Sequence, residues 1–274
     1  LYDTWKYLYK VIVFCNDALT TIDKHKQLLT DEQYKAYRAE VRAIRALYYY
    51  YLMDMFGNIP LVTTAGESTE NADQASRPEV YRFIVKELQE VTPLLPTGHS
   101  NLLGKNYGRV TRSVANFLLA KLMLNGEVYS DADWTDNQQP NGKQTYFTIN
   151  GQQMNIWQAC KYYCDELTAD GFTLAADYLS NFSVNNENSP ENIFTIPLDK
   201  HLYKSQFQYL FRSRHYSHGG AFGTSSENGA SATVSTVRTF GYGTNHVDNR
   251  YTYNLYSDTV RVDGNIIRLE NGQP

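Results

Sequence analysis

The chain has 274 residues and a net charge of −4, with an isoelectric point near 5.9. This length suffices for one large or two small domains, and the acidic balance argues against nucleic-acid capture, which needs a basic surface. No run of residues approaches the roughly 18 apolar positions of a membrane-spanning helix.

Tyrosine dominates the aromatic residues, with 23 copies, although the mean hydropathy is −0.50. A tyrosine ring combines an apolar face with a hydroxyl group, which suits wet interfaces and amphipathic ligands. Packing between helices with the hydroxyl group at the surface is the alternative use of these residues.

Two long helices are predicted at the start of the chain. Apolar residues recur at intervals of three and four from Trp5 to Ile22, and the same spacing returns from Asp31 to Met55, which is typical of amphipathic helices. Thr30 or Asp31 can cap the second helix. The short polar link predicts an antiparallel pair, in which each helix buries its apolar stripe against the other. For the second helix the predicted stripe consists of Tyr37, Val41, Ile44, Tyr48, Tyr51 and Met55.

Three further helices follow, separated by polar loops. They are predicted from Pro78 to about Thr92, from about Thr111 to Tyr129, and from about Asn155 to Ala169. Helices with a short link inside a pair and longer loops between pairs are typical of a helical repeat array. The predicted fold is therefore mainly α, with tetratricopeptide-like helix pairs.

The character of the sequence changes near residue 180. Ile193–Leu198 has the composition of a strand. Val260–Val262 and Asn265–Leu269 flank Asp263-Gly264, which favours a type I′ hairpin turn. We therefore predict a helical core over 1–180 and an irregular, loop-rich, ligand-facing region with short strands and a small β-hairpin over 181–274.

Both ends of the sequence lie at regular patterns. The first residues already follow helical spacing, and the last residues come directly after the predicted hairpin. We expect the chain to be a single domain truncated at both ends, part of a longer protein.

Searches for catalytic and metal motifs give little. The sequence has no G-x-S-x-G, phosphate-binding glycine loop, H-E-x-x-H or C-x-x-C pattern. Asp131, Asp133 and Asp136 superficially resemble a calcium loop, but the glycine and glutamate that such a loop needs are missing. We expect these three residues to form a solvated capping loop, and we expect no metal and no cofactor.

The remaining candidates for chemistry have structural explanations. Glu166 and Asp170 lie one helical turn apart, as a glycosidase pair could, but carboxylates on an exposed helix are usually solvated. The three cysteines, Cys15, Cys160 and Cys164, are expected to be buried small apolar residues. Three histidines share one loop without a cysteine or a carboxylate cluster beside them. These are His201, His215 and His218.

The segment Tyr203–Phe222 interleaves aromatic residues with planar hydrogen-bonding groups. A sugar needs both, because its C–H faces stack on rings while its hydroxyl groups bond to arginine, asparagine and glutamine. The alternative is that the aromatic residues only anchor this loop to the helical core. The predicted ligand-binding residues are Tyr203, Tyr209, Phe211, Arg212, Arg214 and Tyr216, with Trp134 as a weaker candidate.

Four ordered segments carry a family resemblance. Ala39–Val62 closely resembles the signature helix of the SusD/RagB family of Bacteroidetes outer-membrane nutrient-binding lipoproteins, with Glu40, Arg45-Ala46, the Tyr48–Tyr51 run and Phe56-Gly57 in the family's places. Three later segments resemble further hallmarks in the same order. They are Gly108–Tyr129, Asn186–Leu198 and Asp248-Asn249-Arg250.

The resemblance implies a fold and a function. The family has a core of tetratricopeptide-like helix pairs with irregular loops that form a shallow site. Its members bind an oligosaccharide or glycopeptide outside the cell and pass it to a SusC-like TonB-dependent transporter. It thus implies a non-catalytic binding protein, lipid-anchored on the extracellular face of the outer membrane, although the anchoring cysteine is not in this chain.

Two charged residues of the signature helix are expected to be structural. Glu40 and Arg45 are five positions apart, which places them about 140° apart around the helix. They therefore cannot pair with each other, and each should contact a neighbouring helix or loop. The resemblance likewise marks them as structural, and Tyr48–Tyr51 should pack against different neighbours.

Two other functions stay open. A tetratricopeptide-like scaffold that binds only protein would show no glycan binding. A glycoside hydrolase would release product, but the chain is poor in paired carboxylates.

Overall fold

The computed structural model describes residues 1–66, 72–183, 186–197, 233–241 and 244–248, together with the backbone of 259–262 and 265–268. The fold is mainly α, with packed helix pairs and short two-stranded hairpins, which confirms the predicted fold class. None of the helices in these parts of the chain is long and apolar enough to cross a membrane. The helices are α1 (Tyr2–Lys24), α2 (Asp31–Phe56), α3 (Arg77–Val91), α4 (Arg112–Leu124), α5 (Gly126–Ser130), α6 (Ile156–Ala169) and α7 (Val234–Thr239), and the strands are β1 (Ile59–Pro60), β2 (Gln74–Ala75), β3 (Tyr146–Ile149), β4 (Gln152–Asn155), β5 (Thr259–Val262) and β6 (Asn265–Arg268).

The chain divides into two compact units. The first comprises Leu1–Ala175 and Val184–Ile196, and it holds α1 to α6. The second comprises Ala176–Ser183 and Pro197–Pro274, and it holds α7 and the β5–β6 hairpin. In that hairpin Val262 pairs with Asn265 and Thr259 with Arg268, which confirms the hairpin predicted there.

Helices α1 and α2 form the predicted antiparallel pair, and α2 also packs on α3. Thr30 begins α2 with a capping box: its side chain accepts a hydrogen bond from the Gln33 backbone N–H, and the Gln33 side chain accepts one from the Thr30 N–H. Gly57 follows the helix with φ 74°, a backbone conformation that favours glycine. Both ends of α2 are therefore fixed by local sequence.

The prediction of which face α2 buries is wrong. Tyr37, Tyr51 and Met55 of the predicted stripe are exposed, whereas Ala43 and Ala46 are almost fully buried. Small residues let the neighbouring helices approach α2 closely, so its buried surface follows the alanines. The buried residues of α2 are Ala39, Ala43, Arg45, Ala46, Tyr49, Tyr50, Leu52 and Met53.

The later helices agree with prediction except at one break. Helix α3 buries Val80, Ile84, Leu88 and Val91 as expected. The helix predicted from Thr111 to Tyr129 is interrupted at Asn125, which separates α4 from α5. Helix α6 begins with a capping box at Asn155 and packs against α4.

Two strand predictions need correction. A hairpin of β3 and β4, absent from the prediction, turns at Asn150 and Gly151, which have φ values of 50° and 78°. This is the Asn-Gly signal of a type I′ turn. The segment 193–197, predicted as part of a strand, has no regular secondary structure, although the Ile193 and Phe194 side chains pack against the core.

Candidate functional site

Most of the predicted ligand-binding residues lie outside the described residues. This holds for Tyr203, Tyr209, Phe211, Arg212, Arg214 and Tyr216, and for the three loop histidines. Trp134 is described, and its side chain is 78% exposed. It lies on the loop between α5 and β3, which we call the tryptophan loop (residues 131–145).

The tryptophan loop is held by its own short polar side chains. Asp131 accepts a hydrogen bond from the Asp133 backbone N–H at 3.0 Å. Asp133 accepts from both the N–H and the hydroxyl group of Thr135, and these two bonds lower the pKa of its carboxyl group. Asp136 accepts from the Gln138 N–H at 2.7 Å. Such turns fix the backbone locally, so the Trp134 ring is presented from an ordered loop.

The loop is also tied to the helical core. The Arg77 guanidinium donates to the Asp131 carbonyl oxygen at 2.9 Å, and the Gly142 N–H donates to the Glu127 carboxylate at 2.7 Å. Gly142 lies so close to Ile156 and Trp157 that a Cβ atom there would be 2.6 Å from each side chain. Close packing therefore fixes one end of the loop, while the Trp134 side chain remains exposed.

The side chains of the three aspartates of this loop accept hydrogen bonds within local turns and do not cap a helix, which corrects the capping-loop prediction. Within the described ranges no group of three or more His, Cys, Asp or Glu side chains could hold a metal ion.

A concave surface lies within the first unit, between α2, α4 and the end of α6. We call it the helical groove, and its volume is about 770 Å³. The groove is lined in part by Tyr51, Phe117 and Lys121. The side chains of Tyr51 and Phe117 are 38% and 40% exposed. Its walls are largely apolar, formed by Leu47, Tyr50, Val114, Leu118, Leu167, Phe172, Leu174, Ile193 and Phe194, together with the polar residues Thr168, Thr173, Glu191 and Asn192.

Glu40 and Arg45 have the structural roles that the helix geometry predicted. Glu40 accepts two hydrogen bonds from the Arg109 guanidinium, at 3.1 and 2.6 Å. Arg45 lies 2.8 Å from the Glu87 carboxylate and also donates to the Asn16 side chain. Each residue therefore links α2 to another part of the first unit.

Three of the four tyrosines of the Tyr48–Tyr51 run meet different neighbours, as predicted, whereas the Tyr51 ring contacts Tyr48 and Tyr50 of the same run. Tyr49 is fully buried against Phe83, whereas Tyr48 contacts Tyr7 of α1. Tyr50 packs edge-on against Tyr129.

Two expectations about single residues are wrong. Asp170 is not simply solvated, because its carboxylate accepts hydrogen bonds from Arg112 at 2.5 Å and from the Ser113 hydroxyl group at 2.7 Å. Cys164 is exposed rather than buried, since it lies on the outer side of α6. Cys15 is buried as expected, and burial raises the pKa of its thiol to about 11.

These features define a class of protein: a stack of helix pairs that carries an ordered surface loop with an exposed tryptophan. Comparison with known proteins agrees with the stack of helix pairs. Residues 1–124 match a family model, SusD-like_3, described as "Starch-binding associating with outer membrane". Over those residues the chain is similar to the SusD-like family.

Individual relatives show the same similarity. The chain is 24% identical over 209 residues, 75% of its length, to SusD-like protein P25 of Formosa agariphila. It is 30% identical over 102 residues, 37% of its length, to the starch-binding protein SusD of Bacteroides thetaiotaomicron. A solved SusD superfamily protein from Parabacteroides distasonis shares 25% identity and a TM-score of 0.55, with 73% of this chain and 38% of that chain covered.

The chain spans only part of these relatives. It covers 33% of the Formosa protein and 17% of the Bacteroides protein.

Proposed function

We propose that the protein binds oligosaccharide nutrients at the cell surface without cleaving them. The observation that carries this proposal is the SusD-like match over residues 1–124, which includes the signature helix α2. A relative that matches over 102 residues is named as a starch-binding protein. The exposed tryptophan loop offers the kind of surface that such binding needs.

Trp134 is the described residue that we assign to ligand contact. An indole ring stacks on the C–H face of a sugar, and its 78% exposure leaves that face accessible. The ordered backbone of the loop reduces the entropy lost on binding. The residues of 203–216 named above remain predicted contacts.

Binding without hydrolysis is consistent with how the described carboxylates are used. Glu40, Glu87 and Asp170 each accept hydrogen bonds from an arginine. A glycosidase instead needs two carboxyl groups that face one substrate bond. We therefore expect no product release from any bound glycan.

We further propose that the bound glycan is delivered to a SusC-like TonB-dependent transporter. The protein would then act on the extracellular face of the outer membrane, held by a lipid anchor. Support comes from the resemblance to the SusD/RagB family, whose members pass bound glycans to such a transporter. The expected result is that the protein co-purifies with a SusC-like barrel.

A glycan array tests the binding proposal. The wild-type chain should bind at least one oligosaccharide, and Trp134→Ala should weaken that binding about fivefold or more, since an aromatic contact contributes about 1 kcal/mol. Leu103→Ala is the matched control, because Leu103 is a loop residue that is 71% exposed. Failure of the wild-type chain to bind any glycan would contradict the proposal.

A triple variant tests the predicted binding segment Tyr203–Phe222 separately. Replacing Tyr209, Phe211 and Tyr216 with alanine should weaken binding without loss of helical circular dichroism. Unchanged affinity would remove this segment from the site.

The alternative function is a scaffold that binds only protein. The apolar walls of the helical groove favour it, since such grooves also accept apolar side chains. This alternative predicts stable partner binding together with no signal on the glycan array.

A further inference from the structure

Within the first unit, a row of contacting aromatic rings runs from α1 to α2. The ring centroids of Tyr7 and Tyr48 are 6.2 Å apart, and those of Tyr48 and Tyr51 are 6.0 Å apart. Tyr7 is 59% exposed and Tyr51 38% exposed. Together these three rings form a surface that we call the aromatic track.

The aromatic track leads into the helical groove. Tyr51 belongs to both, and its ring lies 5.6 Å from that of Tyr50, which also lines the groove. Across from these residues Phe117 of α4 leaves 40% of its side chain exposed. The track and the groove therefore make one continuous surface with aromatic rings along it.

Lys121 of α4 lines the groove part of this surface. The Lys121 ammonium group is 5.5 Å from the Tyr50 ring centroid and 5.8 Å from that of Phe117. Among the described residues no carboxylate lies within ion-pair distance of it. Glu191, the carboxylate of the groove, accepts a hydrogen bond from the Ala175 N–H at 3.1 Å. The Lys121 charge is thus available to a ligand.

We propose that the aromatic track and Lys121 bind a linear acidic oligosaccharide, one whose residues carry carboxylate groups. Sugar rings would stack on Tyr7, Tyr48 and Tyr51, and a uronate carboxylate would accept hydrogen bonds from Lys121. This inference rests on the proposed glycan binding and names the class of glycan.

The charge of Lys121 decides between acidic and neutral sugars. Aromatic faces bind any sugar with an apolar C–H face, so the track alone does not discriminate. An ammonium group forms a stronger hydrogen bond with a carboxylate than with a neutral hydroxyl group. Because Lys121 is exposed, the discrimination should be modest, about three- to fivefold.

The test compares an acid with its neutral ester. Hexamers of galacturonate, mannuronate and guluronate, and the methyl esters of the same hexamers, would be titrated into the whole chain by calorimetry. The wild-type chain should bind at least one acid form about three- to fivefold more tightly than its ester. In Lys121→Met the two forms should bind equally, because the side chain keeps its length and loses its charge.

Two further variants separate the track from general effects. Tyr51→Ala and Phe117→Ala should weaken both the acid and the ester, since each removes a stacking face. Lys105→Met is the charge-matched control on an exposed loop, and it should keep the preference for the acid. Circular dichroism of each variant checks that the helices are intact.

The outcomes are distinct. Equal wild-type affinity for acid and ester, or a preference that survives in Lys121→Met, would overturn the assignment of acidic glycans. Binding of neutral glycans with no binding of any uronate hexamer would also overturn it, while the proposed glycan binding would stand. If no glycan of either kind binds, the proposed function itself fails.

Discussion

The ion pair between α2 and α3 gives the sharpest test of how the first unit is held together. Glu87 accepts hydrogen bonds from Arg45 at 2.8 Å and from Arg42 at 2.6 and 3.1 Å. Arg45 also donates to the Asn16 side chain and to the Thr63 carbonyl oxygen. Arg45 and Glu87 are 6% and 8% exposed, so their charges depend on each other.

Glu87→Gln should lower the free energy of unfolding by about 3 kcal/mol, at the low end of the cost of breaking a buried pair. The amide would bring an N–H donor against two guanidinium groups, and it would leave the buried Arg45 charge without its counter-ion. A domain is stable by about 5–15 kcal/mol, so this loss is easily measured. Urea denaturation followed by far-ultraviolet circular dichroism reports the helices of this unit.

Glu90→Gln is the matched control. Glu90 also pairs with Arg42, but its side chain is 46% exposed, and exposed pairs contribute about 0–1 kcal/mol. We therefore expect a large decrease in the free energy of unfolding for Glu87→Gln and a small decrease for Glu90→Gln. Losses of the same size in the two variants would refute the idea that burial of the Glu87 pair matters.

Three other predictions concern the same unit. Burial raises the pKa of the Glu87 carboxyl group, but hydrogen bonds from Arg42 and Arg45 outweigh this effect and leave the pKa below its usual value. The stability that ionised Glu87 contributes is therefore fully present above the pKa of the unfolded state, about 4.3, and is lost as the pH falls further. The difference in stability between wild type and Glu87→Gln should accordingly narrow between about pH 5 and pH 3 in urea titrations. Tyr49→Phe should cost about 1–3 kcal/mol, because the Tyr49 hydroxyl group donates to the Val62 carbonyl oxygen at 2.6 Å and accepts from the Val62 N–H at 2.9 Å. Gly142→Ala should lower the thermal midpoint, at a cost of about 1–3 kcal/mol, because the new Cβ would meet Ile156 and Trp157 at 2.6 Å.

Each of these predictions has a control. A difference between wild type and Glu87→Gln that stays constant from pH 5 to pH 3 would contradict the lowered pKa. Tyr51→Phe should be nearly neutral, because Tyr51 is partly exposed. Ile156→Val removes the Cδ1 atom that crowds Gly142, so adding it to Gly142→Ala should recover part of the lost stability; no recovery would point to another cause.

The helices could be predicted because local sequence fixes them. Apolar spacing together with a capping residue sets α3, where Val80, Ile84, Leu88 and Val91 are all buried. The ends of α2 likewise follow from Thr30 and Gly57. These signals act within a few residues and need no knowledge of the neighbouring elements.

The packing of α2 could not be predicted in the same way. Its buried face includes Ala43, Ala46 and the charged Arg45, whereas large side chains of the predicted stripe, such as Tyr51 and Met55, are exposed. Alanine is buried there because α1 and α3 both pack on α2, and Arg45 is buried because Glu87 of α3 meets it. Such choices depend on partners distant in sequence.

The β3–β4 hairpin was missed although its signal is present in the sequence. Asn150 and Gly151 supply the two positive φ values of the turn, but Gln152 and Gln153 give the second strand little strand character. The partner of Asp170 was missed for a different reason. Arg112 is 58 residues away in the chain, and only the packing of α4 on α6 brings the two side chains together.

The candidate site could be predicted less completely than the fold. The sequence offered Trp134 only as a weaker candidate, and its role in binding stays a prediction. The order of its loop depends on side-chain acceptors at Asp131, Asp133 and Asp136, which were interpreted only as solvated caps. The helical groove carries no motif, because its lining comes from α2, α4, α6 and the residues near 172 and 193.

The most direct test of the account is one titration that reads binding and cleavage together. The whole chain would be incubated with each oligosaccharide that binds on the array, and affinity and product length would be measured in the same samples. We predict saturable binding, about fivefold or more weaker in Trp134→Ala, with every oligosaccharide recovered at its original length. Absence of binding to any glycan, or the appearance of shortened products, would contradict the account.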